Sequence, residues 1–382
     1  MLQYPCWKRV AVWNGHKDPG EESEVLDMHM ADALLSPAVA ATMYAASGVT
    51  AGISVKIVQK DENMAKLPMM AVTAALVFAG QMINYTIPGT GSSGHLCGGM
   101  LLSALLGPQA GFLSMVVILA IQALFFADGG LLALGANCWN MAFYGCFIGY
   151  YLIWRPIMRS HAFERKKNAA RIRIALASVL GCVLTLQMGA FSVVLETTAS
   201  GITELPFGMF AGIMQPIHLA IGLIEGLITM AVLLFVYDAR PELLMELGEV
   251  RTEGKHRCSL RKTIVILAVA AAVTGGCVSL FASENPDGLE WSMFGNSEAG
   301  YSENMGLDEE SYGIASKSAE LSGEIQERTA FLPDYAFSGS DSGAGTSASG
   351  LVGSAIVAGA AVLICTMGGF FRRKKSNCRR AE

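Results

Sequence analysis

Apolar residues in this chain fall in runs of about twenty, the length an α-helix needs to cross the roughly 30 Å hydrocarbon core of a bilayer. A soluble helix shows one apolar stripe and a half-buried strand alternates, so neither matches these runs. They cover residues 37–55, 69–87, 95–106 (short, broken at Gly107-Pro108), 110–127, a stretch ending at Trp154, then 174–195, 209–236, 263–281 and 351–371. With 52% hydrophobic and 15% charged residues, the chain reads as an all-α polytopic membrane protein.

The charges set its topology. Lys and Arg cluster at 56–66, 155–173, 240–262 and 372–380, and basic loops stay cytoplasmic. One arrangement satisfies every cluster: nine spans, the start outside and the end inside. His29, the loop before His95, Asp128, Asn137 and the acidic segment 282–350 then share the outer face. Within that segment the many carboxylates face only Lys317 and Arg328, and its Ser/Gly-rich end, 338–350, is expected to be a flexible linker. The divisions expected are an extension 1–27, a membrane domain 28–240, a basic cytoplasmic linker 241–262, a two-span module 263–371 and a basic tail 372–382.

Residues 1–27 lack the apolar core of a signal peptide. We read them as an over-extended start, with translation beginning at Met28. His29 would then be the second residue, and the free amine, the His29 amide nitrogen and its imidazole could close two fused rings around one ion. Such flat nitrogen coordination suits Ni(II) or Cu(II), and less strictly Co(II), over Mg or Ca. The other reading is an ordinary surface histidine.

Further polar residues leave alternatives open. His95, among small residues at the outer end of a short span, is either an interfacial polar group or a ligand. His218 and Glu225 lie seven apart, on nearly one helical face; ionisable groups at that depth are either functional or tie helices together. Gln81, Asn84, Gln122 and Gln187 read as ties between helices. Asp128 and Asn137 are expected to fix outer loops by turn and capping bonds.

Several motifs argue by exclusion. Gly89-Thr90-Gly91-Ser92-Ser93-Gly94 matches G-x-G-x-x-G but sits between membrane helices, not in a βαβ unit. There is no G-x-x-x-x-G-K-[S/T], so this chain has no phosphate loop of its own, and no H-E-x-x-H. Nine cysteines include no C-x-x-C, so neither a zinc knuckle nor a disulfide framework is indicated.

Four motifs taken together resemble one family. Met28-His29-Met30-Ala31-Asp32-Ala33-Leu34-Leu35-Ser36-Pro37 resembles its M-H-I-P-D-G-x-L-S-P start, and Ser93-Gly94-His95-Leu96-Cys97-Gly98-Gly99 its S-G-H-L-x-G-G. Asp128-Gly129-Gly130 with Leu134-Gly135-Ala136-Asn137 and Asn140-Met141-Ala142, and His218 to Gly226, are similar to its later motifs. This is the CbiM/NikM family, the substrate-capturing membrane components of cobalt and nickel energy-coupling-factor transporters. Glu284 to Trp291, with Phe331-Leu332-Pro333-Asp334-Tyr335, resembles the PDGLE module, here fused behind it. Ala31 and Ala33 depart from the family's Pro and Gly.

The resemblance implies a seven-span S-component-like bundle plus a two-span C-terminal hairpin with an extracytoplasmic acidic loop. It further implies import of cobalt or nickel as substrate, with no cofactor and no enzyme activity of its own. A T-type membrane subunit and two cytoplasmic ATPases would drive transport in a bacterial or archaeal cell membrane, with lipid around the chain and no nucleic acid. Met28, His29 and His95 would hold the ion. Asp32, Asn137, His218 and Glu225 would support it or line its path. The alternative is a proton-coupled secondary carrier using Glu225 and His218. An intramembrane metal enzyme ranks last, since no carboxylate is placed by sequence as a base beside His29 and His95.

Overall fold

The computed structural model describes residues 29–60, 66–161, 168–201, 206–247, 259–295, 317–337 and 343–381. Met28 and the extension 1–27 lie outside these residues, as do 248–258 of the basic linker and 296–316 and 338–342 of the acidic segment.

Ser36 begins the first long helix, accepting the Val39 N–H with Pro37 at the first turn. That helix, α1 (Pro37–Val58), is followed by α2 (Lys66–Gln81), a hairpin of β1 (Tyr85–Ile87) and β2 (Ser92–Gly94), α3 (Gly99–Leu106) and α4 (Pro108–Phe125). A continuous helical stretch, α5, runs through Leu134–Asn137, Cys138–Trp154 and Arg155–Arg159, its middle wound as a π-helix. The long pair α6 (Ala169–Ser200) and α7 (Phe207–Ala239) completes the first module. The second contains α8 (Leu260–Gly276), the short α9 (Gly288–Phe294), α10 (Lys317–Thr329) and α11 (Gly343–Ala381).

The molecule is an all-α polytopic membrane protein. Among the described residues, six helical stretches are long and apolar enough to cross a bilayer: Pro37–Val58, Pro108–Phe125, Ala169–Ser200, Phe207–Ala239, Leu260–Phe281 and Gly343–Leu363. Phe78, Phe112, Met115, Phe126 and Trp154 are fully buried at its centre. Helices meet through small residues, as apolar surroundings require: a Cβ on Gly226 of α7 would lie 2.8 Å from the Val179 Cα of α6.

Three expectations from sequence change. The run 69–87 is not one helix, because α2 stops at Gln81 and Tyr85-Thr86-Ile87, aromatic and β-branched, pair with Ser92–Gly94 across a Pro-Gly turn. The run 95–106 is no full span either. Its helix α3 has eight residues, about 12 Å, and every one is buried. Gly98 and Gly107, at φ +82 and +84, break the chain on either side of it.

The third change concerns the Ser/Gly-rich stretch, which is helical from Gly343 onward. Its small side chains make a helix interface. Ser347 Oγ donates to the Gly276 carbonyl at 2.6 Å, and a Cβ on Gly275 would lie 2.9 Å from the Gly350 oxygen. The start of the basic linker is likewise folded back, with the Met245 N–H donating to the Ala104 carbonyl at 2.9 Å and Leu244 buried.

Candidate metal centre

The segment ahead of α1 is held by the loop between α4 and α5. Asn137 brackets Met30: its Oδ1 accepts the Met30 N–H at 3.2 Å and its Nδ2 donates to the Met30 carbonyl at 3.2 Å. Asp32 Oδ1 accepts the Ala133 N–H at 2.9 Å. Burial pushes the Asp32 carboxyl above its ordinary value, while hydrogen bonds from Ser322, Ala133 and Leu132 oppose that rise. Gly129, at φ +79, passes so close that a Cβ on it would lie 2.7 Å from the His29 Cβ. Only glycine fits there.

These contacts bury His29 to 5% exposure. Its Nδ1 lies 2.6 Å from Asp128 Oδ1. An ionised carboxylate only accepts, so Nδ1 donates, and in the neutral imidazole Nε2 then keeps its lone pair. Burial alone would raise the Asp128 carboxyl, but its electrostatic interaction with His29 and the hydrogen bonds from His29 and Tyr335 outweigh it and hold the group below its ordinary value. Nε2 of His29 is buried without a hydrogen-bond partner. A lone pair left unmet in that way has a cost that a metal ion would relieve.

His95 stands beside it, the two ring centroids 5.5 Å apart and the planes at 42°. A coordinated imidazole places its centroid roughly 3 Å from the ion. Two rings so spaced can therefore share one ion. Both line a cavity of about 100 Å³, with Cys97, Asn137, Asn140, Met141, Met214 and His218 among its walls.

The roof of that cavity comes from the second module, through Asp287, Gly288 and Leu289. Asp287 caps α9, its Oδ1 accepting the Leu289 and Glu290 N–H groups at 2.8 Å each. Burial lifts its carboxyl to about 6, against those two bonds and the nearby His29. The segment docks on β2 by hydrogen bonds to its carbonyls: the Ser93 N–H donates to the Pro286 carbonyl at 2.8 Å, and Ser93 Oγ to the Asn285 carbonyl at 2.8 Å. On the opposite side, Tyr335 donates its hydroxyl to Asp128 Oδ2 at 2.5 Å.

The other residues singled out in sequence take separate places. His218 lines the cavity, its Nδ1 donating to the Met214 carbonyl at 2.8 Å. Asn137 lines it too, whereas Asp32 and Glu225 do not. Glu225 is spent elsewhere, its two oxygens accepting the Cys97 N–H at 3.1 Å and the Gly98 N–H at 2.9 Å. It holds the turn into α3, since Gly98 is the N-cap residue of that helix and Cys97 the residue before it. Met28 lies outside the described residues. A ring through the His29 amide closes without strain only on Nδ1, the nitrogen that Asp128 holds.

Among the described residues, no three His, Cys, Asp or Glu side chains converge as metal ligands. An ion held between His29 and His95 would therefore need main-chain, amine or water donors as well. Sequence reasoning put Asp128 in a loop-fixing role and missed its bond to His29, and it did not single out Tyr335 as a site residue. The Phe331–Tyr335 run, quoted only for its likeness to PDGLE, was the available signal.

The CbiM model, described as the cobalt uptake substrate-specific transmembrane region, matches residues 29–243, and the PDGLE domain matches 261–368. The chain belongs to the CbiM family and carries a PDGLE domain behind the family region. A relative in Archaeoglobus fulgidus, named as a fused nickel transport protein NikMN, is 32% identical over 86% of this chain and 95% of its own. The cobalt transport protein CbiM of Sorangium cellulosum is 31% identical over 59% of this chain and 97% of its own. A solved structure of a transition metal transporter is 30% identical, covering 59% of this chain and all of that one, at a TM-score of 0.48.

Proposed function

We propose that this chain captures Ni(II) or Co(II) at the outer face of a cell membrane as the substrate-binding component of an energy-coupling-factor importer. His29, through Nε2, and His95 supply two imidazoles, with Asp128 bracing His29 from behind. The Met28 amine is a further donor where the chain begins at that residue. One observation carries this reading: a buried imidazole nitrogen without a partner, beside a second imidazole in a covered cavity. The names of the relatives and the family description support cobalt or nickel as the cargo.

A T-type membrane subunit and two cytoplasmic ATPases supply the energy, since the sequence has no nucleotide-binding loop of its own. The basic clusters support an outward site and a cytoplasmic C-terminus. The engagement of both Glu225 oxygens by main-chain N–H groups supports a structural role for this residue over that of a proton carrier.

Ni(II) and Co(II) titration of the full chain tests the site. His29→Ala and His95→Ala are expected to abolish tight binding, and Asp128→Asn to weaken it roughly 10- to 100-fold, as losing a carboxylate behind a ligating histidine does. If Asp128→Asn tightens binding, the ion instead takes Nδ1 in a main-chain chelate. If both histidine variants bind as the native protein does, the site is misplaced. Uptake into vesicles that persists without the ATPases would sink the coupling assignment.

A further inference from the structure

Asp287 brings to the cavity wall more than the fold of the second module requires. It is the N-cap of α9, and Oδ1 alone accepts both the Leu289 and the Glu290 N–H at 2.8 Å. A cap needs one acceptor oxygen, which serine or asparagine would supply equally well. The carboxylate adds a charge and a second oxygen. Among the described residues Oδ2 takes no hydrogen bond, and no Lys or Arg pairs with it. Asp287 is nonetheless buried to 7% exposure. A charge withdrawn from water without a cation beside it is costly, and this one lines the cavity that His29 and His95 share.

Its place is fixed from both sides. Just before it, the Pro286 carbonyl accepts the N–H of Ser93, two residues ahead of His95. Just after it, a Cβ on Gly288 would lie 3.0 Å from His218 Cε1, and Met293 is buried in one apolar cluster with Met30. None of these contacts uses Oδ2. The other carboxylate close by, Asp128, has both oxygens occupied by His29 and Tyr335. Divalent cations arrive hydrated, and carboxylate suits a hydrated ion as imidazole suits Ni(II) or Co(II). A fixed negative charge in a cleft raises the local concentration of a cation and its rate of capture.

We infer that Asp287, through Oδ2, draws the hydrated dication into the cavity, holding it by its waters before the nitrogen donors displace them. This rests on the capture site proposed above and holds whichever His29 nitrogen meets the ion. The second module then supplies a binding residue, and not cover alone, to a site whose imidazoles belong to the first.

The test is stopped-flow association of Ni(II), read with a metal-indicator dye, for the full chain and its Asp287→Asn and Asp287→Ser variants, with limited proteolysis reporting whether residues 283–295 stay docked. Both variants keep a capping oxygen. Each is expected to slow association about tenfold or more, with one ion still bound, the segment still protected and dissociation changed less than association. Raising the ionic strength should slow the native chain more than either variant, since salt screens the attraction. Native association in both variants, beside lost binding in His29→Ala and His95→Ala, overturns this inference and leaves the site standing. Slowing accompanied by release of the segment overturns it too, and assigns Asp287 to docking. Native binding in both histidine variants overturns the site itself, and this inference with it.

Discussion

The proposed site turns on how His29 is held. Asp128 takes its Nδ1 and leaves Nε2 unpartnered, and Gly129 makes the approach possible. Gly129→Ala should therefore act twice. The left-handed backbone costs an alanine about 1–2 kcal/mol, and its Cβ would lie 2.7 Å from the His29 Cβ. The expected outcome is a modest fall in melting temperature with a disproportionate loss of Ni(II) affinity, read by calorimetry on the same samples; equal and small effects would make Gly129 a turn residue only. His29 and His95 were legible in sequence because each sits in a short motif beside a span. Asp128 was visible as a loop residue, but its partner lies 99 positions away. Tyr335 was less visible still, because its contact spans 207 positions and the two fused modules.

At the scale of elements, the decisive feature is that α3 begins inside the bundle. The Cys97 and Gly98 N–H groups that lead into it lie within the protein, and main-chain donors there need partners. Glu225 of α7 supplies them. Glu225→Ala should leave two donors unmet and cost about 2–5 kcal/mol, visible as a large drop in melting temperature in detergent. Glu225→Gln keeps one acceptor oxygen and should fall between. Uptake separates the roles: a capping residue tolerates glutamine with transport reduced but present, whereas a proton carrier loses it entirely. Apolar runs identified the long helices. They could not reveal that residues 82–98 form a hairpin and an extended turn feeding a half-helix, since apolar and small residues serve helix and buried strand alike.

At the scale of the molecule, the second module covers the first. Its helices α8 and α11 pack against α2, while residues 283–295 roof the cavity and Gln326 donates to the Ala123 and Gly129 carbonyls at 3.0 and 2.9 Å. Beyond its hydrogen bonds to β2, this segment buries Met293 in one hydrophobic cluster with Met30, Leu34 and Leu35, a cluster separate from the core around Phe112 and Trp154. Gly288 is the point to attack, because a Cβ there would lie 2.9 Å from Ile221 Cδ1 and 3.0 Å from His218 Cε1. Gly288→Val should lift this segment while the bundle, with its separate core around Phe112 and Trp154, melts nearly unchanged. Ni(II) release from the proposed site to a chelator, followed by stopped flow, should then quicken at least about tenfold, since uncovering a site acts mainly on the dissociation rate. Cleavage of residues 283–295 by protease would confirm that the segment has moved. Unchanged release from a chain so cleaved would mean that the roof does not retain the ion.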